Sequence, residues 1–173
     1  MNNKAFSLIE LIVVIAILAV LAGVSAIGIG LVSGKPAESC ANKLVSAIQG
    51  NRITAMGKLD AHLEIYEDDD GIWVKEVITE VGEPDRVTTV RIGDKGVKLE
   101  FQITGDAAEF WRPVGDAGHP LILRFNRSSG AFHDLSLMGA SYEGKYCVAI
   151  RSSKGRTVKK ISLTYLTGKI ALE

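Results

Sequence analysis

Hydrophobic and polar residues are distributed very unevenly along the chain. Residues 11–32 form an uninterrupted apolar run without a charged side chain, and one carboxylate, Glu10, lies immediately before it. As an α-helix, this run would be about 33 Å long at roughly 1.5 Å per residue, which is enough to span the hydrocarbon core of a bilayer. The pattern therefore predicts a membrane-length helix close to the N-terminus.

A second helical pattern follows a stretch that contains three glycines and Pro36, residues that weaken or bend a helix. Over residues 36–59, apolar side chains recur at intervals of three and four, the period of an amphipathic helix. The apolar stripe is Ala41, Leu44, Val45, Ile48, Ala55, Met56 and Leu59, and the residues off the stripe are Lys43, Asn51 and Lys58. We expect one long helix from about Phe6 to Leu59, apolar all round in its first half and one-sided in its second half.

Short segments rich in β-branched and aromatic residues alternate with turn signals through the rest of the chain, which predicts β-hairpins. The turn segments are residues 67–71, 93–96, 126–130, 152–156 and 167–169. One buried strand face is predicted for Val158, Ile161, Leu163 and Tyr165. Residues 105–119 have no clear period, and we expect a loop there with a short helix at residues 106–111.

These patterns predict an α+β fold. An amphipathic helix and a sheet with one apolar face each need cover, and they can cover each other. We expect residues 34–173 to form one domain, in which the helix of residues 36–59 packs on an antiparallel β-sheet built from residues 61–173. The apolar helix of residues 6–33 would project from this domain.

The composition narrows the possible partners. The chain has 173 residues, of which 47% are hydrophobic, and it has 20 basic and 20 acidic side chains. A balanced charge gives no overall attraction to nucleic acid or to anionic lipid. Any such binding must come from a local patch.

Residues 4–10, KAFSLIE, followed by the apolar run, resemble the class III signal of type IV pilins and of the pseudopilins of type II secretion. The resemblance implies that a membrane peptidase cleaves between Ala5 and Phe6. The leader of residues 1–5 is then removed, the apolar helix is retained and the new amine of Phe6 is methylated. The family usually has glycine before the cleavage site, and this chain departs from it with Ala5. Residues 22–26, AGVSA, leave cleavage as a secretory signal peptide as the alternative.

The resemblance also implies a role and a set of partners. The fold expected is that of type IV pilins, and the function is that of a structural subunit, pilin or minor pilin, which polymerises through its N-terminal helix. The expected partners are other pilin subunits, the prepilin peptidase and methyltransferase, the assembly platform of the inner membrane, and membrane lipid before assembly. The chain would be a single-pass protein of the cytoplasmic membrane, and later part of an extracellular or periplasmic filament.

Two narrower roles stay open as alternatives. The C-terminal part, from about Arg124 onward, is similar to the H-type minor pseudopilins of type II secretion and to the FimT-like minor pilins, which are linked to DNA uptake. The first likeness implies a secretion pseudopilin, and the second implies a competence pilin that binds DNA. A membrane-anchored adhesive or solute-binding domain that never polymerises is a further alternative.

Glu10 is the residue for which the resemblance supplies a chemical role. A carboxylate at the centre of a bilayer costs about 2.5–3.5 kcal/mol on insertion scales, although at the edge of the apolar run it can reach the headgroups. In a packed helical bundle the charge needs a nearby cation, because an unpaired buried charge is costly. The amine of Phe6 on a neighbouring subunit would be that cation, and the pair would fix the axial register. The alternative is that Glu10 only marks the membrane boundary.

Two charged clusters lie in predicted turns. Glu67, Asp68, Asp69 and Asp70 precede Gly71, and without the spacing of a calcium loop they favour a solvated hairpin turn. A basic run consists of Arg151, Lys154, Arg156, Lys159 and Lys160. It is the candidate patch for DNA or another anion, with a solvated hairpin as the alternative.

The remaining reactive side chains show no pattern typical of an enzyme. Cys40 and Cys147 are the only cysteines, and they allow either one disulfide or two buried thiols. His62, His119 and His133 have no metal-ligand spacing, and Ser128 and Ser129 lie in a glycine turn. The sequence therefore predicts neither catalysis nor a metal or other cofactor.

Overall fold

The computed structural model describes residues 9–19, 35–57, 60–104, 111–137, 140–142, 147–155, 157–164 and 167–173. The chain divides into two compact units, Met1–Ser33 and Gly34–Glu173. In the first unit, residues 9–19 form helix α1. The predicted leader, the rest of the apolar run and the expected continuation of the helix through residues 20–34 lie outside the described residues. Among the helices that are described, none is both long and apolar enough to cross a membrane.

The second unit begins with helix α2, Lys35–Met56. Pro36 lies in the first turn, where its missing N–H is not needed, and Glu38 lies there too, where a negative charge is favourable. The buried positions are Ala37, Cys40, Ala41, Leu44, Ile48, Asn51 and Ala55. The predicted stripe is confirmed in its centre, but Met56 is exposed and Leu59 lies outside the described residues. Asn51 was wrongly placed off the stripe, because it is fully buried.

Eleven strands follow within the described residues. They are β1 Asp60–Asp68, β2 Gly71–Thr79, β3 Arg86–Asp94, β4 Lys98–Thr104, β5 Arg112–Pro113, β6 Leu121–Phe125, β7 Phe132–Leu137, β8 Ala140–Tyr142, β9 Cys147–Lys154, β10 Thr157–Thr164 and β11 Lys169–Leu172. The first sheet has the order β3-β2-β1-β6-β7-β8, and the second has the order β11-β10-β9-β4-β5. All pairings are antiparallel, so the structure has two antiparallel sheets where the sequence predicted one.

Four of the five predicted hairpins are confirmed: β1–β2, β6–β7, β9–β10 and β10–β11. The predicted hairpin at residues 93–96 is wrong. A turn does form there, since the Val97 N–H donates to the Asp94 carbonyl at 3.0 Å. However, β3 pairs with β2 in the first sheet, whereas β4 pairs with β9 and β5 in the second. The chain therefore crosses between the sheets at this turn.

One hydrophobic cluster combines side chains from α2 and from both sheets. Its largest fully buried members are Phe101, Leu44, Ile48, Leu63, Ile65, Ile72, Leu99, Leu121, Leu123, Ile150, Ile161 and Leu163. Val158, predicted to share the face of Ile161, is instead 54% exposed. The reason is the two-residue period of a strand, which places positions 158 and 161 on opposite faces. Tyr165 lies outside the described residues.

Candidate functional site

Helix α1 presents apolar side chains on every side. Its large aliphatic residues, Ile9, Leu11, Ile12, Val13, Val14, Ile15, Ile17 and Leu18, are between 50% and 70% exposed. A helix that is hydrophobic all round is normally buried in protein or in lipid. Residues 9–19 are therefore a surface that requires cover from lipid or from other helices.

Glu10 is the single charged residue of α1, and its side chain is exposed. It lies in the first described turn, directly beside the aliphatic surface. Ala5 and Phe6, between which cleavage is predicted, lie outside the described residues. The structure thus places one of the three sequence-predicted processing and assembly residues.

The members of the basic run that the structure describes do not form one continuous patch. Arg151 and Lys160 are paired across β9 and β10 and so share a face of the second sheet, whereas Lys159 is paired with the buried Ser152 on the other face. The Nζ atom of Lys154 lies 3.5 Å from the Lys95 carbonyl oxygen. Arg156 lies outside the described residues. Of the four predicted anion-binding residues that lie in the described strands, the register therefore brings only Arg151 and Lys160 together.

Arg151 is moreover engaged within the domain. Its Nε donates to a Glu100 carboxylate oxygen at 2.7 Å, and its guanidinium lies 4.5 Å from the centre of the Trp111 ring. A cation stacked on an aromatic ring and paired with a carboxylate is already stabilised in place. This arrangement supports a structural role for Arg151 on the outer face of the second sheet.

The carboxylate cluster in the turn between β1 and β2 has a structural use. One carboxylate oxygen of Asp68 accepts hydrogen bonds from the backbone N–H groups of Asp70 and Gly71, at 2.9 and 3.0 Å. This is the side-chain-to-backbone pattern that aspartate forms in turns. Burial raises the pKa of the Glu67 carboxyl, and the nearby Lys98 charge partly opposes that shift. In the part of the chain that the structure describes, no group of three or more acidic, histidine or cysteine side chains is arranged to hold a metal ion.

The two described histidine side chains each lie beside a different carboxylate. His62 Nε2 lies 3.4 Å from a Glu64 oxygen, and His119 Nδ1 lies 3.4 Å from an Asp116 oxygen. The side chain of His133 is outside those described. Ser128 and Ser129 both form hydrogen bonds within the β6–β7 turn, as their position in a turn signal predicted.

Cys40 is a buried free thiol. Burial raises its pKa, and a hydrogen bond with Ser152 partly lowers it again. Cys147 lies five residues before Ser152 on β9, or about 16 Å away at roughly 3.3 Å per residue, whereas a disulfide needs Cα atoms within about 7 Å. The structure therefore favours the free-thiol alternative for Cys40 and holds it as a small buried hydrophobe, while the side chain of Cys147 is outside those described.

Sequence reasoning missed Arg52, which connects α2 to turns from both sheets. Its Nε donates to the Gly130 carbonyl at 2.8 Å, and an Nη donates to the Thr167 carbonyl at 3.1 Å. Gly130 and Gly168 adopt positive φ values of 65° and 61°, a backbone that glycine tolerates best. The sequence signal was an arginine on the helix together with two glycine turns far along the chain. We call this arrangement the Arg52 clasp.

Comparison with known proteins bears on the N-terminus. Residues 1–26 match the family model described as the prokaryotic N-terminal methylation motif. The chain thus carries the class III signal that is typical of type IV pilin-like proteins, the substrates of prepilin peptidase. No curated protein and no solved structure matches the chain. The motif defines the class of the N-terminus and does not distinguish a role in a pilus, in secretion or in competence.

Proposed function

We propose that this protein is a structural subunit of a type IV filament. The chain is inserted in the membrane, cleaved between Ala5 and Phe6, methylated at Phe6 and polymerised through its N-terminal helix. The observation that carries the proposal is the methylation motif of residues 1–26, which includes a helix, residues 9–19, whose aliphatic side chains are exposed on every side. The role assigned to the β-rich unit is that of the head of the subunit, without catalysis.

The apolar surface of α1 explains why such a subunit passes from membrane to filament. In lipid, aliphatic side chains are solvated by acyl chains, and in a filament they pack against the same helices of neighbouring subunits. Both environments remove the apolar surface from water, which is favourable by about 25 cal/mol for each Å² buried. The exchange between them therefore involves little change in hydrophobic burial.

Glu10 would give the filament its register. Within a bundle of aliphatic helices, a carboxylate is stabilised only where a cation lies within hydrogen-bonding distance. The amine of Phe6 released by cleavage is a cation at the same end of the helix. We assign the pairing of Glu10 with the Phe6 amine of a neighbouring subunit as the contact that sets the axial offset.

The experiment has two readouts. Filaments are isolated from cells that produce the full chain, and mass spectrometry determines its N-terminus, which we expect to be methylated Phe6. A filament-borne chain that still begins at Met1 would refute the cleavage step. The amount of the chain relative to other filament proteins then separates a major pilin from a minor subunit or a secretion pseudopilin.

A matched pair of variants tests the pairing. Glu10→Ala should abolish incorporation while leaving the protein in the membrane. Glu38→Ala removes an exposed carboxylate from α2 and should assemble normally. Normal assembly of Glu10→Ala would remove the pairing from the proposal.

A further inference from the structure

An open groove of about 570 Å³ lies between α2 and the first sheet. Its floor consists of the buried side chains of Leu63, Val74 and Ile92. Lys43 on α2 and Arg91 on β3 lie at its rim. The groove thus combines an apolar floor with two positive charges at the entrance, and we call it the α2–β3 groove.

Small side chains on α2 keep this groove open. Ser46, Ala47 and Gly50 face it from the helix, and a Cβ atom added at Gly50 would meet no other atom within 4 Å. Glycine in the interior of a helix is less favourable than alanine. Packing within the domain therefore does not require glycine at position 50. The space beside Gly50 is left open to an external group. On the sheet side, Val90 is 53% exposed.

The turn between β2 and β3 has the complementary features. Val81 is fully exposed at its tip, and Glu80, Glu83 and Asp85 surround it. The turn is held in shape, since the Glu83 N–H donates to the Glu80 carbonyl at 3.1 Å. In addition, the Thr79 hydroxyl donates to an Asp85 carboxylate oxygen at 2.7 Å. We call residues 80–85 the acidic turn.

We propose that the acidic turn of one copy of this chain inserts into the α2–β3 groove of a neighbouring copy. Val81 then covers the apolar floor, and the carboxylates of Glu80 and Glu83 approach Lys43 and Arg91. Arg91 already lies 3.2 Å from an Asp94 oxygen, but this ion pair is solvent-exposed and contributes little. The ordered turn needs no further folding to bind, which lowers the entropic cost of association.

The two surfaces differ from each other, so the contact is heterologous. Heterologous contacts that do not close into a ring generate open helical assemblies. This inference rests on the filament role proposed above and adds to it a specific contact between heads.

Glu76 also lines the groove, where one of its oxygens accepts a hydrogen bond from Asn51 at 3.1 Å.

The experiment is photo-crosslinking in cells that produce the full chain. A benzoylphenylalanine side chain replaces Val81, filaments are isolated after irradiation, and the crosslinked peptides are mapped. We expect a dimer in which position 81 is joined to residues 42–51 or 88–92 of a second copy. The same photoreactive side chain at Val158, exposed on the other sheet, is the control and should give no link to the groove.

Charge reversal provides an independent variant. Lys43→Glu should abolish the crosslink from position 81, and the double variant Lys43→Glu with Glu83→Lys should restore it. A filament-borne chain whose position 81 links elsewhere, links to another protein or gives no dimer would overturn the proposed contact. A chain that is not cleaved at Phe6 and is absent from filaments would refute the proposed function instead, and the N-terminal mass identifies that case.

Discussion

Replacing Gly168 by alanine should lower the free energy of unfolding of the head, residues 34–173, far more than the same replacement at Gly155. The two glycines have nearly equal φ values, 61° and 62°, so both alanines carry the same left-handed strain of about 1–2 kcal/mol. The surroundings differ. A Cβ at Gly155 meets nothing within 4 Å, whereas at Gly168 it lies 2.0 Å from the Gly130 carbonyl oxygen and 2.9 Å from Arg52 Nε.

The extra cost at Gly168 is the loss of the Arg52 clasp. The carbonyl of Gly130 must move, and it is the acceptor for Arg52 Nε at 2.8 Å. A hydrogen bond to a charged group contributes about 1.5–3 kcal/mol. We therefore expect Gly155→Ala to lower the free energy of unfolding by about 1–2 kcal/mol and Gly168→Ala to lower it by about 2.5–5 kcal/mol.

Urea unfolding of the full chain in detergent measures both values. Trp73 and Trp111 are the only tryptophans, and both lie in the head, so their fluorescence reports on this unit. Arg52→Ala in each glycine background completes the comparison, because it should reduce the difference between the two alanine variants. Equal losses of stability for Gly155→Ala and Gly168→Ala would refute the reasoning about the clasp.

Three further predictions concern single side chains. Gly50→Ala should raise the free energy of unfolding by about 0.5–1 kcal/mol in urea, because it improves helix propensity in open space; a loss of stability would contradict the free space at Gly50. Burial raises the pKa of Glu67, so its ionised form is disfavoured in the folded state and stability falls as the pH rises above its ordinary value of 4.5. Glu67→Gln should therefore be more stable than the parent at pH 7, with the difference vanishing below about pH 4.5, and thermal unfolding across this range tests it. Cys40 should resist alkylation in the folded protein and react after unfolding, because burial raises its pKa and excludes the reagent; mass spectrometry of labelled peptides checks this.

The local elements could be predicted because their signals lie within a few residues of each other. The spacing of Ala41, Leu44 and Ile48 predicted the buried face of α2, and glycine turns predicted four hairpins. Asn51 has the same spacing, but its polarity led to the wrong assignment. Its side chain is tolerated inside because its amide donates to Glu76, which lies in the neighbouring sheet.

The arrangement of the two sheets could not be predicted, because it depends on pairings between distant segments. The turn at residues 93–96 has the composition of a hairpin, but β4 pairs with β9, which lies about fifty residues further along the chain. The Arg52 clasp could not be predicted either, because it joins Arg52 to Gly130 and Thr167, which lie 78 and 115 positions further along the chain. At the N-terminus the opposite holds: the motif of residues 1–26 is local, so the sequence alone was sufficient to recognise it.

The buried hydrogen bond between Ser152 and Ala37 has a consequence for biogenesis. The Ser152 hydroxyl donates to the Ala37 carbonyl at 2.9 Å, across 115 positions of the chain. Helix α2 leaves the ribosome before its partners in the second sheet, β9 and β10, which follow about 90 residues or more after its end. Long-range pairings of this kind fold slowly, and exposed apolar surface in the meantime favours aggregation. Synthesis of this protein therefore includes an interval in which the apolar face of α2 is formed before the strands that cover it.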